Sequence, residues 1–315
     1  MHLEWGVTWP PGDALGALVT RSVTDSRTPQ YSHFTFWNGT ETSYNTLGAD
    51  TRYGTQIGNA GGVAWAGRMT HLLYIDPFAG DRYLLHVGGG YNFSQIGGAG
   101  GTGEDARTFR AASIPEFFVG DPVGGGVTAA GTPLFVDTGR ILADNYQLAH
   151  FELAGNYGPA HFQGEYLASF VDQRTGANIF YDGAYLQCGY FLTGEHCGYN
   201  RQMGALDYNV VPYSNFFALG RDCWFGGLGA WEIAARWSYL NLAENNLVAA
   251  NQLSAAAGPP ASPNPGTLNN ATLALNWWWN QYTRVQFNYI HAMLNSPNFG
   301  RSDTDIYATR FQIEF

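Results

Sequence analysis

Residues 271–293, ATLALNWWWNQYTRVQFNYIHAM, decide the fold, because apolar and polar side chains alternate on both sides of a short break. The apolar or aromatic set is Leu273, Leu275, Trp277, Trp279, Val285, Phe287, Tyr289 and His291, and the intervening set is Thr272, Ala274, Asn276, Arg284, Gln286 and Asn288. A period of two places such sets on opposite faces of a strand. Only Asn280 and Gln281 separate the two runs, so the segment predicts a tight β-hairpin.

The same alternation recurs at 83–93, 161–170, 229–242 and 307–315. In each run the second face carries polar or charged side chains in the middle of the strand. The runs reach about ten residues, whereas strands of soluble sheets usually have five or six, and about nine to eleven tilted residues cross a bilayer. Aromatic residues gather near the ends of the runs, as an interfacial girdle requires. The sequence therefore predicts an all-β fold, a transmembrane antiparallel β-barrel, with a soluble β-sandwich or lipocalin-like barrel as the alternative.

Composition excludes several other classes. The chain contains no apolar run long enough for a membrane-spanning helix. Its 15 basic residues, all arginine, stand against 25 acidic ones, a net charge of −10 that argues against nucleic acid as a partner. No G-x-S-x-G motif and no paired metal ligands occur, and the 8 histidines are scattered. We therefore expect no enzymatic activity, no cofactor and no metal.

We expect one barrel domain over 1–315, with further strands at 3–9, 14–22, 105–112 and 134–142. The segments 25–61 and 242–268 are predicted to be long loops. Short connections at 76–81, 157–159 and 280–281 would share the periplasmic side, where the connection 194–228 is unusually long and irregular. Cys197 and Cys223 lie in irregular sequence and are a candidate disulfide pair, with unrelated thiols as the alternative.

Several motifs together resemble the phosphate- and polyphosphate-selective porin family over about 62–315. They are FVDTGRI (135–141), FQGEYLASF (162–170), YFLTGEHCGYN (190–200), GAWEIAARWSYLNL (229–242), LNWWWNQYTRVQFNYIHAML (275–294) and the terminal Phe315. The resemblance implies a sixteen-stranded, trimeric outer-membrane channel for small anions, of which roughly twelve to thirteen strands are present here. It also implies that the N-terminal strands and signal peptide lie upstream. As partners it implies outer-membrane lipid and the barrel-assembly machinery, which would read Phe315 as its signal.

Arginines are the candidate pathway residues, because the family's anion pathway uses an arginine ladder and a central lysine. The segment ARTFRAASIPE (106–116) resembles the ladder segment, which assigns Arg107 and Arg110 to it, while the chain has no lysine. The inward-facing strand arginines are Arg68, Arg236, Arg284 and Arg310. An arginine fork suits phosphate, but these side chains could instead pair with inward carboxylates such as Glu152, Glu165, Glu232 and Glu314. A general non-selective porin and a non-conducting surface barrel are the alternative functions.

Overall fold

The structure is a computed structural model that describes residues 2–8, 17–24, 31–39, 64–76, 78–96, 108–117, 134–216, 227–243, 246–248, 263–297 and 300–314. Its strands are β1 (His2–Thr8), β2 (Ala17–Thr24), β3 (Tyr31–Gly39), β4 (Ala64–Ile75), β5 (Tyr83–Gln95), β6 (Thr108–Phe109), β7 (Ala112–Ser113), β8 (Val136–Asp137), β9 (Ile141–Tyr157), β10 (Ala160–Gln173), β11 (Ile179–Phe191), β12 (Gly198–Asn200), β13 (Ala205–Asp207), β14 (Ala230–Asn241), β15 (Thr267–Asn280), β16 (Thr283–Ser296) and β17 (Gly300–Ile313). A single 3-10 turn, Gly80–Arg82, precedes β5 in this part of the chain. No described helix is both long and apolar enough to cross a membrane.

The long strands form one antiparallel sheet in chain order. Its path runs β1-β2-β3-β4-β5-β9-β10-β11-β14-β15-β16-β17, and the short β6 pairs with β9, so the sheet has 13 strands among the described residues. The strands β1 and β17 are the two ends of this path in the described chain. The predicted hairpin is confirmed as β15–β16, where Leu275 pairs with Phe287 and Asn276 with Gln286.

The two faces of the sheet differ as the alternation predicts. One face, here called the outer face, carries exposed apolar side chains on each of β9, β10, β11, β14, β15, β16 and β17, including Phe151, Tyr166, Leu186, Ile233, Leu273, Phe287 and Phe311. The other, the inner face, receives three chain segments that fold back over it, at 108–117, 134–140 and 192–216. A sheet that is apolar outside and covered by its own chain inside has the arrangement of a transmembrane β-barrel.

Two predicted strands and one predicted loop are wrong. In their described parts, 108–112 and 134–142, these segments contain only the short strands β6 and β8 and the start of β7 before β9 begins at Ile141. Gly139, with a φ of +67°, interrupts the second extended run, and Glu116, with a φ of +53°, turns the chain soon after the first. Conversely, β3 lies inside the predicted loop 25–61, because a β-prone run, YSHFTFWNG, is hidden among glycine- and threonine-rich neighbours.

The short turns and the long connection between β11 and β14 lie on the same side of the sheet, as the sequence predicts. The turns after β4, β9 and β15 and the end of β17 share one edge of the sheet, and the connection between β11 and β14 shares it too. That long connection forms the small antiparallel hairpin β12–β13. It packs on the wall through a cluster of Leu72, Leu84, Ala154, Tyr199 and Leu206.

A second apolar cluster lies at the opposite edge. It joins Val136 to Ile141, Val171, Ile179 and Leu268 of the wall, with Phe109 packed against it. Between the two clusters the inner face is polar. The folded-in segments therefore pack on the inner face near both edges of the sheet and leave a polar zone between them.

Candidate functional site

The polar zone between the two apolar clusters is the candidate site, and we call it the polar belt. Its members face inward from β4, β9, β10, β11, β14, β15 and β16 and are Arg68, Glu152, Gln163, Glu165, Tyr185, Gln187, Arg236, Thr272, Gln286 and Asn288. The strict alternation along each strand puts them on this face, since each is flanked by outward-facing neighbours. The belt mixes both signs of charge with neutral amides.

Arg68 joins the wall to the β12–β13 hairpin. Its Nε donates to Glu152 Oε1 at 2.9 Å, its Nη1 to the Met203 carbonyl at 2.7 Å and its Nη2 to the Gly204 carbonyl at 2.9 Å. The three donor nitrogens of this guanidinium are therefore all bonded to protein acceptors. A left-handed φ of +59° at Gly204 turns the hairpin here, and a Cβ at that position would lie 2.4 Å from Thr70 Oγ1. Arg68, predicted as a pathway residue, therefore holds the hairpin in place.

His86 and Tyr199 form the second link between wall and hairpin. His86 Nδ1 lies 2.8 Å from the Tyr199 hydroxyl, and His86 Nε2 lies 3.3 Å from Glu152 Oε1. The carboxylate can only accept, so in the neutral imidazole Nε2 carries the proton and Nδ1 accepts from the Tyr199 O–H. Burial raises the pKa of Tyr199 to about 12.

This link predicts a pH dependence for the hairpin. The folded pKa of Tyr199, about 12, lies above its ordinary value of 10.0, so the stabilisation is complete below about pH 10 and is lost as pH rises through 12. Tyrosinate absorbance should show a late phase in the wild type, and Tyr199→Phe should lower its amplitude by one tyrosine, because burial raises the pKa of Tyr208 as well and that side chain still contributes. Tyr213→Phe, an exposed position of the same connection, should retain that phase. Identical titrations of wild type and Tyr199→Phe would contradict the assignment.

Arg110 and Glu116 fasten the segment 108–117. Arg110 makes a bidentate ion pair with Asp137, at 2.9 Å from Nε to Oδ1 and 2.7 Å from Nη2 to Oδ2. Glu116 accepts from Arg236 Nε and from Thr272 Oγ1, both at 2.8 Å. Arg236 also donates to Gln187 at 2.9 Å and lies 4.3 Å above the Tyr185 ring. Two predicted pathway arginines, Arg110 and Arg236, are thus matched by carboxylates of the folded-in segments.

Arg284 and Arg310 are less compensated. Arg284 donates to the neutral Gln312 Oε1 at 3.0 Å from Nε, and Glu314 lies 3.8 Å away. Arg310 is exposed and has no hydrogen-bond or ion-pair partner among the described residues. A cavity of about 330 Å³ lies beside this wall, lined by Arg236, Arg284, Asn276, Gln286 and Asn288 among others. The inner face therefore has its most available positive charge beside the polar belt, on β16 and β17.

Three residues named in the sequence predictions, Arg107, Cys223 and Phe315, lie outside the described residues. Cys197 carries a free thiol in the structure, and its pairing with Cys223 stays a prediction. It is fully buried beside Phe191, Ala230 and Trp278, and burial raises its pKa. It therefore behaves as an apolar core residue.

Sequence reasoning missed Glu116 and Asp137 as partners of the predicted arginines, and Tyr199 as the partner of His86. The one local signal was Pro115 before Glu116, which favours a turn that carries the next side chain inward. Other pairs are far apart in the sequence. Glu116 and Arg236 are 120 residues apart, and His86 and Tyr199 are 113 residues apart.

An antiparallel barrel sheet with an apolar outer face and a polar, partly filled interior defines an outer-membrane porin-like β-barrel protein. The family model described as phosphate-selective porin O and P matches residues 131–315. The match covers more than half of the chain, and the chain belongs to this family. The matched range begins after the segment 106–116, so the assignment of Arg107 and Arg110 to an arginine ladder stays a prediction.

Individual relatives are more distant. The chain is 27% identical to Porin O of Pseudomonas aeruginosa over 162 residues, which is 50% of this chain and 33% of that protein. The chain thus matches about a third of the length of this relative. Among solved structures, OmpT of Vibrio cholerae folded in vitro covers 96% of the chain at 13% identity, with a TM-score of 0.32. Its loop L8 deletion mutant gives the same identity and TM-score.

Proposed function

We propose that the protein is a passive outer-membrane diffusion channel for small anions such as phosphate or polyphosphate. Family membership supports a channel rather than an enzyme. The observation that carries the anion preference is the weak compensation of Arg284, which lines the polar cavity, and of Arg310 on the neighbouring strand. A pore selects by the charges at its narrow part, where a fixed charge is least screened.

The cavity chemistry agrees with an anionic solute. Arg284 offers guanidinium donors, and Gln286 and Asn288 offer amide donors at this cavity, whose lining carboxylate, Glu232, is already bonded to His161 and Asn276. Arginine forks bind phosphate oxygens in pairs, and amides donate without adding charge. The net charge of −10 does not oppose this, because acids remote from the narrow part are screened within about 8–10 Å.

A general, non-selective porin is the second candidate. The pairs Arg68–Glu152, Arg110–Asp137 and Arg236–Glu116 favour it, because each arginine is neutralised by a neighbouring acid. In that case only Arg284 and Arg310 would bias the pore, and the bias would be small. A homotrimeric assembly, implied by the family resemblance, remains a prediction.

Replacing Arg284 and Arg310 together by glutamine should shift the single-channel reversal potential in a salt gradient toward cations. Glutamine keeps much of the side-chain length while removing the charge. The double variant Arg301→Gln and Arg174→Gln, at strand ends away from the belt, is the matched control and should leave the reversal potential unchanged. A wild-type pore that already prefers cations, or an unchanged potential in the Arg284 and Arg310 variant, would favour the general porin. Absence of conductance in the wild type would favour a structural barrel.

A further inference from the structure

A second cluster on the inner face is not explained by anion passage. His150 and Glu152 of β9 and Glu165 of β10 each offer one ligand atom, and these atoms lie within 4.8 Å of one another. All three side chains are half-buried and face the interior. We propose that this cluster binds a divalent transition-metal ion of the Zn²⁺ type, and that the positive charge of the bound ion strengthens the anion preference of the pore.

The charge balance of the cluster favours a cation. Glu152 and Glu165 are direct partners across the β9–β10 ladder, a position at which like charges destabilise a sheet. Arg68 compensates Glu152, with Nη2 at 2.7 Å from Oε1. Glu165 has neither an ion-pair nor a hydrogen-bond partner in the described part of the chain. One carboxylate of the pair is therefore uncompensated by the protein.

The neighbouring strand leaves room for the ligands. Gly88 and Gly90 of β5 are the ladder partners of Glu152 and His150. A Cβ at Gly88 would lie 2.1 Å from Glu152 Oε1, and one at Gly90 would lie 2.5 Å from His150 Cε1. Only glycine at these two positions allows both side chains to lie across β5. The two glycines thus bring an imidazole and a carboxylate side by side.

The ligand set indicates the kind of ion. His150 makes no hydrogen bond to any described residue, so both ring nitrogens are available. One imidazole with two carboxylates suits zinc and similar transition metals, whereas Mg²⁺ prefers oxygen ligands and its own waters. Zinc–ligand bonds of about 2.1 Å place tetrahedral ligand atoms about 3.4 Å apart. Small side-chain rotations close the observed spacing, and water completes the shell from the open interior.

Calorimetric titration of the full-length protein in detergent micelles with ZnCl2 tests the site. We expect one Zn²⁺ bound per chain and much weaker binding of Mg²⁺. His150→Ala and the near-isosteric Glu165→Gln should each lower the affinity at least about tenfold, since loss of outer-shell partners alone costs about 10–100-fold. His71→Ala is the matched control, because His71 points to the outer face from β4 opposite Val87. For each variant, an unheated sample that migrates faster on a gel than a boiled sample would verify that the variant is folded.

The selectivity part of the proposal rests on the proposed channel function, and the binding part does not. Zn²⁺ should move the single-channel reversal potential of the wild type and of His71→Ala further toward anions, but not that of His150→Ala. Equal Zn²⁺ affinity in all variants, or no Zn²⁺ binding by the wild type, would overturn the site. A silent channel that still binds Zn²⁺ would overturn the channel function alone.

Discussion

Leu273→Arg should destabilise the folded barrel by about 2–4 kcal/mol, the cost of an arginine on the lipid face near the bilayer midplane. Leu273 lies at the middle of β15, on the outer face, with 59% of its surface exposed. In a membrane this exposed surface contacts lipid chains, which cannot solvate a guanidinium. Urea unfolding of the protein refolded into lipid vesicles measures the loss.

Ala274→Arg is the matched control. Ala274 is the next residue of the same strand, faces inward and lines the polar cavity of about 330 Å³. An arginine there has water and amide groups around it, so the loss should stay below about 1 kcal/mol, as for substitutions away from a packed core. Equal losses at the two positions would mean that the exposed apolar face does not meet lipid and that the sheet belongs to a soluble protein.

The faces of the strands were predictable because a β-strand has a period of two. In ATLALNWWW the alternation alone assigns Leu273 to one face and Asn276 to the other, and the ladder with β16 follows the same assignment. No distant contact is needed for this conclusion, since alternation is a local property of the backbone. The same reasoning holds for β10, β14 and β17.

The folded-in segments were not predictable in the same way. The run RTFR at 107–110 alternates for a few residues and was therefore predicted as part of a wall strand. Its actual position depends on Arg110 meeting Asp137, 27 residues later, and on Glu116 meeting Arg236, 120 residues later. Sequence pattern assigns an arginine to a face but not to a partner. Whether an inward arginine serves a solute or an ion pair therefore requires the structure.

The absence of lysine is a second case in which the sequence does not identify the arginines that a solute could contact. It was visible in the sequence and weakened the expectation of phosphate specificity, but it did not indicate which arginines remain available. Arg284 and Arg310 can be identified as available only from the folded sheet, because there their ladder partners, Gln312 and Gln286, are neutral amides. Ladder register, which is a property of the folded sheet, thus separates the available arginines from the compensated ones.

Arg110→Ala should release the segment 108–117 from the inner face at a cost of about 3–5 kcal/mol, the usual loss when one partner of a buried ion pair is removed. Asp137 is only 2% exposed, and after the change the Gly139 amide, 2.9 Å from Oδ1, is its remaining donor among the described residues. A buried carboxylate with so few donors is strongly disfavoured. Hydrogen exchange of the backbone amides at 108–117 measures the release.

The double variant Arg110→Ala with Asp137→Asn separates the ion pair from simple loss of packing. The neutral amide removes the unpaired charge, so the double variant should be protected better than Arg110→Ala alone, and the cycle should give a coupling of at least about 1 kcal/mol. Arg301→Ala, at an exposed strand end, should exchange like the wild type. If Arg110→Ala leaves exchange unchanged but moves the reversal potential toward cations, Arg110 acts on the solute, as the family resemblance implies, and its contact with Asp137 serves only to orient it.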